Sequence, residues 1–258
     1  MTINRFNWTK LFQPNALPLW ICPRCKQNAL ILKPNTFNSF LTADSEVNRS
    51  HPNYEPDYDQ YRYTALLVCS SESCGEQVIS TGEGFVEFDY YYDSSGDTQT
   101  SYEIYYQPKY FNPCLEIFSL PDTTPQPLKK AIYKSFELFF TDSEASLNQL
   151  RSSIEVLLNE LGVDRNDKNG NPLKLHSRLD KLKGGDAKYK DSLKAIKWLG
   201  NAGSHSTSST KVNIEDVLDG YEILQPILHE LFRSSIPTLE EKVAAINANK
   251  GPVSKSGL

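Results

Sequence analysis

The chain has 258 residues, 39% of them hydrophobic and 23% charged, a formal net charge of −5 and a pI near 5.5. It is too apolar for wholesale disorder, and its acidity argues against an autonomous duplex-DNA binder, which needs a basic surplus to displace counterions from phosphates. No apolar window approaches the ~18 residues of a membrane span and no basic-then-apolar leader opens the chain, so a cytoplasmic protein without membrane association is expected.

Residues 1–120 read as β-rich. Ala29 to Leu32, Tyr61 to Cys69, Gln77 to Ile79, Gly84 to Tyr92 and Ser101 to Tyr106 are aromatic and β-branched runs set between turn-formers. Asn38 to Asp59 is polar and aromatic with little periodicity, and Asp93 to Thr98 reads as a hairpin loop. The tyrosines Tyr90, Tyr91, Tyr92, Tyr102, Tyr105 and Tyr106 serve either cross-strand packing or stacking on bases.

Five cysteines make an odd count, and two pairs are closely spaced: Cys22-Pro-Arg-Cys25 and Cys69-Ser-Ser-Glu-Ser-Cys74. Each tight turn can deliver two thiolates from one side, so the two turns complete a tetrahedral Zn²⁺ site of the zinc-ribbon kind, with an insertion between the pairs. Four sulfur ligands leave no position for water, so the role is structural, and His51 is superfluous. The other reading of Cys-Pro-x-Cys is thiol exchange. Cys114 stands apart as a packed or surface thiol.

Near Pro121 the sequence Pro-Asp-Thr-Thr-Pro-Gln-Pro reads as a linker, and beyond it apolar residues recur at helical spacing to about residue 249. Thr124 and Pro125 suit a helix start, running to about Phe140. A second helix starts at Asp142 or Ser143 and ends at Gly162, with Leu147, Leu150, Ile154, Leu157 and Leu158 on one stripe. Asp164 to Pro172 superficially suits calcium, but Arg165 stands where the first acidic ligand belongs. Leu173 to Leu182 and Tyr189 to Leu199 follow as helices, and Asn213 caps the last long one, which Pro226 should kink. Residues 250–258 read as a disordered tail. The fold class is thus α+β: a β-rich four-cysteine module, then a helical bundle.

Two stretches of the bundle carry further chemistry: Leu150-Arg151-Ser152-Ser153-Ile154-Glu155, and Gly200-Asn201-Ala202-Gly203-Ser204-His205 behind Lys197. With the cysteine module they resemble the family called domain of unknown function 4145, a branch of the HEPN superfamily, over roughly Cys22 to Phe232. The resemblance implies a HEPN-like bundle, a homodimer paired through it, and metal-independent cleavage of RNA in which histidine moves a proton and arginine stabilises the phosphate. Work in bacterial stress or phage defence is implied too. Asn201 and His205 fit the motif, whereas Gly200 holds the arginine position, so Lys197 or Arg151 would have to supply the cation. The alternative is a catalytically silent module that binds RNA or a protein partner, or an assembly subunit. In that case His205 is a helix-terminal packing residue, Asn201 a cap, and Arg151 with Glu155 an ordinary i,i+4 ion pair.

Overall fold

The computed structural model describes residues 3–202, 211–233 and 239–252. A short helix α1 (Phe6–Thr9) precedes a five-stranded antiparallel sheet made of β1 (Leu30–Leu32), β2 (Asn38–Leu41), β3 (Gln60–Cys69), β4 (Gln77–Tyr92) and β5 (Thr98–Asn112). The order is β1-β3-β4-β5, and β2 pairs with the first half of β3 along the edge that β1 occupies at its end. Alternating side chains of β3 (Tyr63, Ala65, Leu67) turn inward with Val78, Tyr106 and Phe111, where they meet Phe12 and Trp20 in an aromatic cluster.

The sheet departs from the sequence reading in two places. The runs Gln77 to Ile79 and Gly84 to Tyr92 are one strand, because Gly82 and Gly84 are sites of close approach: a Cβ on Gly82 would lie 2.1 Å from the Gln107 carbonyl oxygen and 2.7 Å from the Tyr63 ring. Asn38 to Asp59, despite its weak periodicity, holds β2 and the helix α2 (Ala43–Asn48), capped by Thr42 and anchored by a carboxylate, Asp59, buried under Arg49. Of the two roles open to the tyrosines, Tyr106 takes packing: it is buried against Phe12, Phe37 and Tyr63 and presents no face for a base.

Beyond the sheet come α3 (Gln126–Leu138), α4 (Ser143–Glu160), α5 (Leu175–Leu179), a 3₁₀ turn (Gly184–Tyr189), α6 (Lys190–Ala202), α7 (Ile214–Leu231) and α8 (Leu239–Asn249). Their termini follow local chemistry. Asp142 accepts the Ala145 N–H, Gly162 stops α4 at φ +70°, and Asn213 and Asp216 form a reciprocal capping box. At α3 the boundary shifts by one residue, so that Pro125 is the N-cap, while the buried Thr124 hydroxyl has no hydrogen-bond partner among the described residues. The helix expected over Leu173 to Leu182 shrinks to α5, and α8 was not foreseen. α7 runs on through Pro226. Of the expected tail, 253–258 lies outside the described residues.

Inside the bundle, the Tyr221 hydroxyl of α7 bonds Ser135 of α3 at 2.8 Å and Ser146 of α4 at 3.1 Å, and each serine donates to the other's carbonyl. This network is wholly buried and fully partnered, so it fixes the three helices in register rather than costing stability.

The hydrophobic core runs unbroken from sheet to bundle. Trp8 packs on Phe139 and Phe140, Phe140 on Phe111, and Phe118 between Phe136 and Tyr221. Polar seams cross the same junction. Arg5 engages Glu215, Asp219 and Glu222 of α7, and Lys26 reaches Glu116, which also accepts the Tyr133 hydroxyl. No helix among the described residues is long and apolar enough to cross a membrane.

Candidate metal centre and helix crossing

Pairing of β1 with the end of β3 sets Leu30 opposite Cys69, and so brings the turn before β1 beside the turn after β3. Both turns close in the same way. The Lys26 N–H bonds the Cys22 carbonyl, Gly75 N–H bonds the Ser71 carbonyl, and the residue after each second cysteine is left-handed, Lys26 at φ +56° and Gly75 at φ +62°. Glycine tolerates that region freely, whereas Lys26 is held there by its reach to Glu116.

The four sulfurs of Cys22, Cys25, Cys69 and Cys74 lie within 4.8 Å of one another, with Cys22–Cys74 and Cys25–Cys69 each at 3.7 Å. A disulfide needs a sulfur separation of about 2 Å. Tetrahedral thiolates at about 2.3 Å from a zinc-sized ion stand about 3.8 Å apart, so the cluster is shaped to hold a metal ion.

Electrostatics divides the four. Burial pushes the Cys22 thiol up and the Cys69 thiol up to about 12. The Gln27 backbone N–H and then the Asn28 side chain and backbone pull Cys25 down to about 6. The Asn28 amide lies 3.6 Å from the Cys25 sulfur, an outer partner that the cysteine spacing does not reveal. Cys114 stays outside the cluster, and burial raises it to about 11.

The second constellation lies where α4 crosses α6. Leu193, Ile196, Lys197 and Gly200 form the buried face of α6, and Gly200 is the point of closest approach. A Cβ there would stand 2.5 Å from the Arg151 Cβ and 2.9 Å from the Leu147 carbonyl oxygen. The position that the resemblance assigns to arginine is therefore a helix crossing with no room for a side chain. In its place, the stem of Arg151 lies over Gly200, next in sequence to Asn201. The Arg151 guanidinium meets Glu155 at 3.3 Å and Asn148 at 3.2 Å, so it is the i,i+4 pair and a neighbour of the motif at once. Lys197 is 9% exposed and sets its ammonium 3.3 Å from the centroid of the Trp198 indole. Gly203, Ser204 and His205 lie outside the described residues.

Charge is unevenly distributed along the helical half. Between Arg165 and Lys197 the acidic chain carries ten lysines and arginines against four aspartates. Arg178 is structural: it is buried and donates to Asn159 and to the carbonyls of Glu155, Val163 and Asp164. Lys168, Lys174, Lys183 and Lys188 are exposed. This local basic stretch is hidden by the net balance of the chain.

Among known families, residues 134–249 match a domain of unknown function, DUF4145, and residues 10–111 match another, DUF8608. Arg151, Lys197, Gly200, Asn201 and His205 fall within the first match. The sequence reading carried that one resemblance back to Cys22, but the cysteine half falls within the second match. No curated protein and no solved structure matches the chain.

Proposed function

We propose that the four cysteines hold a structural zinc ion and that the helical half is an RNA-directed module of HEPN type. For the metal, an all-sulfur set with tetrahedral separations suits zinc better than the hard cations, which take oxygen. Four protein ligands leave no open position, so the ion stabilises the fold and does no chemistry.

The observation that carries the RNA reading is Arg151 lying against Gly200 at the α4–α6 crossing, where Asn201 follows in sequence. It offers a cation from a neighbouring helix where the motif itself has none. In the cleavage reading His205 takes the proton of the ribose 2′-hydroxyl, O2′ bonds phosphorus, the P–O5′ bond breaks, and the proton passes on from His205 to the departing O5′. The products are a 2′,3′-cyclic phosphate and a 5′-hydroxyl, and Arg151 balances the charge on the pentavalent phosphorus. A second reading, silent RNA binding, draws support from Arg151 being paired already with Glu155 and from Lys197 being engaged by Trp198.

The test incubates the protein with single-stranded RNA in EDTA, with end analysis of the products and a parallel binding titration. Cyclic phosphate ends that vanish in His205→Ala support cleavage. Binding without cleavage, weakened in Arg151→Ala, supports the silent module. Neither binding nor cleavage refutes both.

A further inference from the structure

Arginines in this chain usually meet a carboxylate: Arg5, Arg24, Arg49, Arg62 and Arg151 each pair with one. Arg165 and Arg178 pair with none among the described residues, and the two are neighbours. Arg165 Nε and Arg178 Nη2 each donate to Asn159 Oδ1 at 2.8 Å, so these nitrogens lie at most twice that distance apart. Like charges so placed repel, and Arg178 is only 5% exposed. Burial lowers the Arg178 guanidinium from its ordinary value, Glu155 offsets part of this, and Arg165 lowers it further.

The pair borders a cavity of about 400 Å³. To its lining α4 contributes Ser152, Glu155 and Asn159, the following loop Arg165 and Asn166, and α5 Arg178. Local structure holds each donor in place. The Leu173 N–H bonds the Arg165 carbonyl at 2.8 Å and closes the loop, whose turn is tied by the Asn169 and Asn171 N–H groups to the Asp167 carboxylate. Arg178 is anchored by the carbonyls of Glu155, Val163 and Asp164.

All these partners of the two guanidiniums are neutral. Carbonyls and one amide satisfy hydrogen bonds but supply no counter-charge, and a buried charge without one is costly. The nearby carboxylates are engaged elsewhere: Glu155 meets Arg151 at 3.3 Å, Asp164 lies 3.9 Å from Lys181, and Asp167 holds its own turn. Donors are left over. Arg165 Nη1 and Nη2 and the side-chain amides of Asn159 and Asn166 meet no acceptor among the described residues. Because Asn159 Oδ1 takes two N–H groups, its Nδ2 is fixed as a donor. An aspartate at position 159 would have settled the charge within the chain, whereas asparagine leaves it for a ligand.

We propose that this cavity binds a phosphate group, gripped by the Arg165 fork and the Asn159 and Asn166 amides beside the fixed charge of Arg178. Phosphate matches the site on two counts. Its tetrahedral oxygens accept from donors on several sides, and its charge meets two guanidiniums at once. The group is either free, as inorganic phosphate or a phosphate monoester, or part of an RNA backbone. The inference does not rest on the RNA reading, since it needs neither His205 nor Asn201.

The test titrates the full chain with sodium phosphate, against sodium chloride at matched ionic strength, and follows Tm by circular dichroism. For a dissociation constant of about 1 mM, about 10 mM phosphate is expected to raise Tm by about 3–6 °C beyond chloride. Arg165→Gln changes an exposed side chain, and Asn159→Asp sets a carboxylate between the guanidiniums. Each is expected to need at least ~10-fold more phosphate for the same rise, and Arg165→Lys, which keeps the charge without the fork, to fall between. Should Asn159→Asp fail to fold, Arg165→Gln decides alone. A labelled single-stranded RNA then separates the sources. RNA that phosphate displaces and Arg165→Gln weakens puts a backbone phosphate in the cavity, while RNA indifferent to both leaves the free group as ligand. No rise beyond chloride, or a rise unchanged in Arg165→Gln, overturns the inference.

Discussion

Replacing Gly200 with alanine tests the α4–α6 crossing directly. In a helix interior this change alone stabilises by about 1 kcal/mol, since alanine is the better helix former. Here the added methyl would stand 2.5 Å from the Arg151 Cβ and 2.9 Å from the Leu147 carbonyl oxygen. Real contacts of that kind exceed about 3.4 Å, and neither neighbour is the far end of a flexible side chain. The helices must therefore part by on the order of 1 Å, and overpacking of this sort costs about 2–3 kcal/mol. The net expectation is a loss of about 1–2 kcal/mol, or a fall in Tm of about 2–8 °C for a chain of this size. Gly200→Arg should fall further, and so should give no gain of cleavage. Thermal unfolding followed by circular dichroism measures both. An unchanged or higher Tm for Gly200→Ala would refute the close crossing and reopen the position to a functional side chain.

Further expectations concern the rest of the fold. Protein purified without chelator should carry one zinc per chain by elemental analysis. Cys22→Ser should lose it and drop Tm by about 10 °C or more, while Cys114→Ser leaves metal content unchanged. Arg49 holds the Asp59 carboxyl below its ordinary range, so this pair contributes its full stabilisation above the unfolded value of about 3.9 and loses it as pH falls through the folded one. Asp59→Asn should accordingly be less stable at pH 7 and show a shallower acid-side decline in Tm; an identical acid slope would disprove the linkage. Tyr221→Phe removes the hydroxyl shared by Ser135 and Ser146 and should lower the urea midpoint by an amount worth about 1 kcal/mol without changing the slope m.

Features whose physics is local were legible in the sequence. The caps at Asp142 and Asn213 and the stop at Gly162 satisfy orphan backbone groups within one turn, so residue type and spacing suffice to find them. The cysteine pairs were legible because two thiols on one tight turn suit chelation. What escaped rests on distant contacts. Gly82, in the gap between two strand runs, looked like a break, although the Tyr63 ring lies over it. The segment holding β2 and α2 has no periodic signal and depends on the Arg49–Asp59 pair and on the Ser45 hydroxyl receiving the Gln60 N–H. Arg5 gave no sign of meeting Glu222, 217 positions away, and nothing in Gly200 announces that another helix passes over it.

Lys26 carries an implication for how this architecture can be recombined. Its ammonium joins a cysteine turn to Glu116 and, through that carboxylate, to Tyr133 at the start of the bundle. Glu116 belongs, with the buried Leu115, Ile117, Phe118 and Leu120, to the stretch between the two family matches. That stretch acts as a gasket shared by both sides. Fragments cut at the edges of the two matched regions would each lose it and leave Phe111 or Phe136 facing water. A chimaera that exchanges either half must bring residues 112–133 along and supply a lysine, or an equivalent cation, to meet the carboxylate they contain.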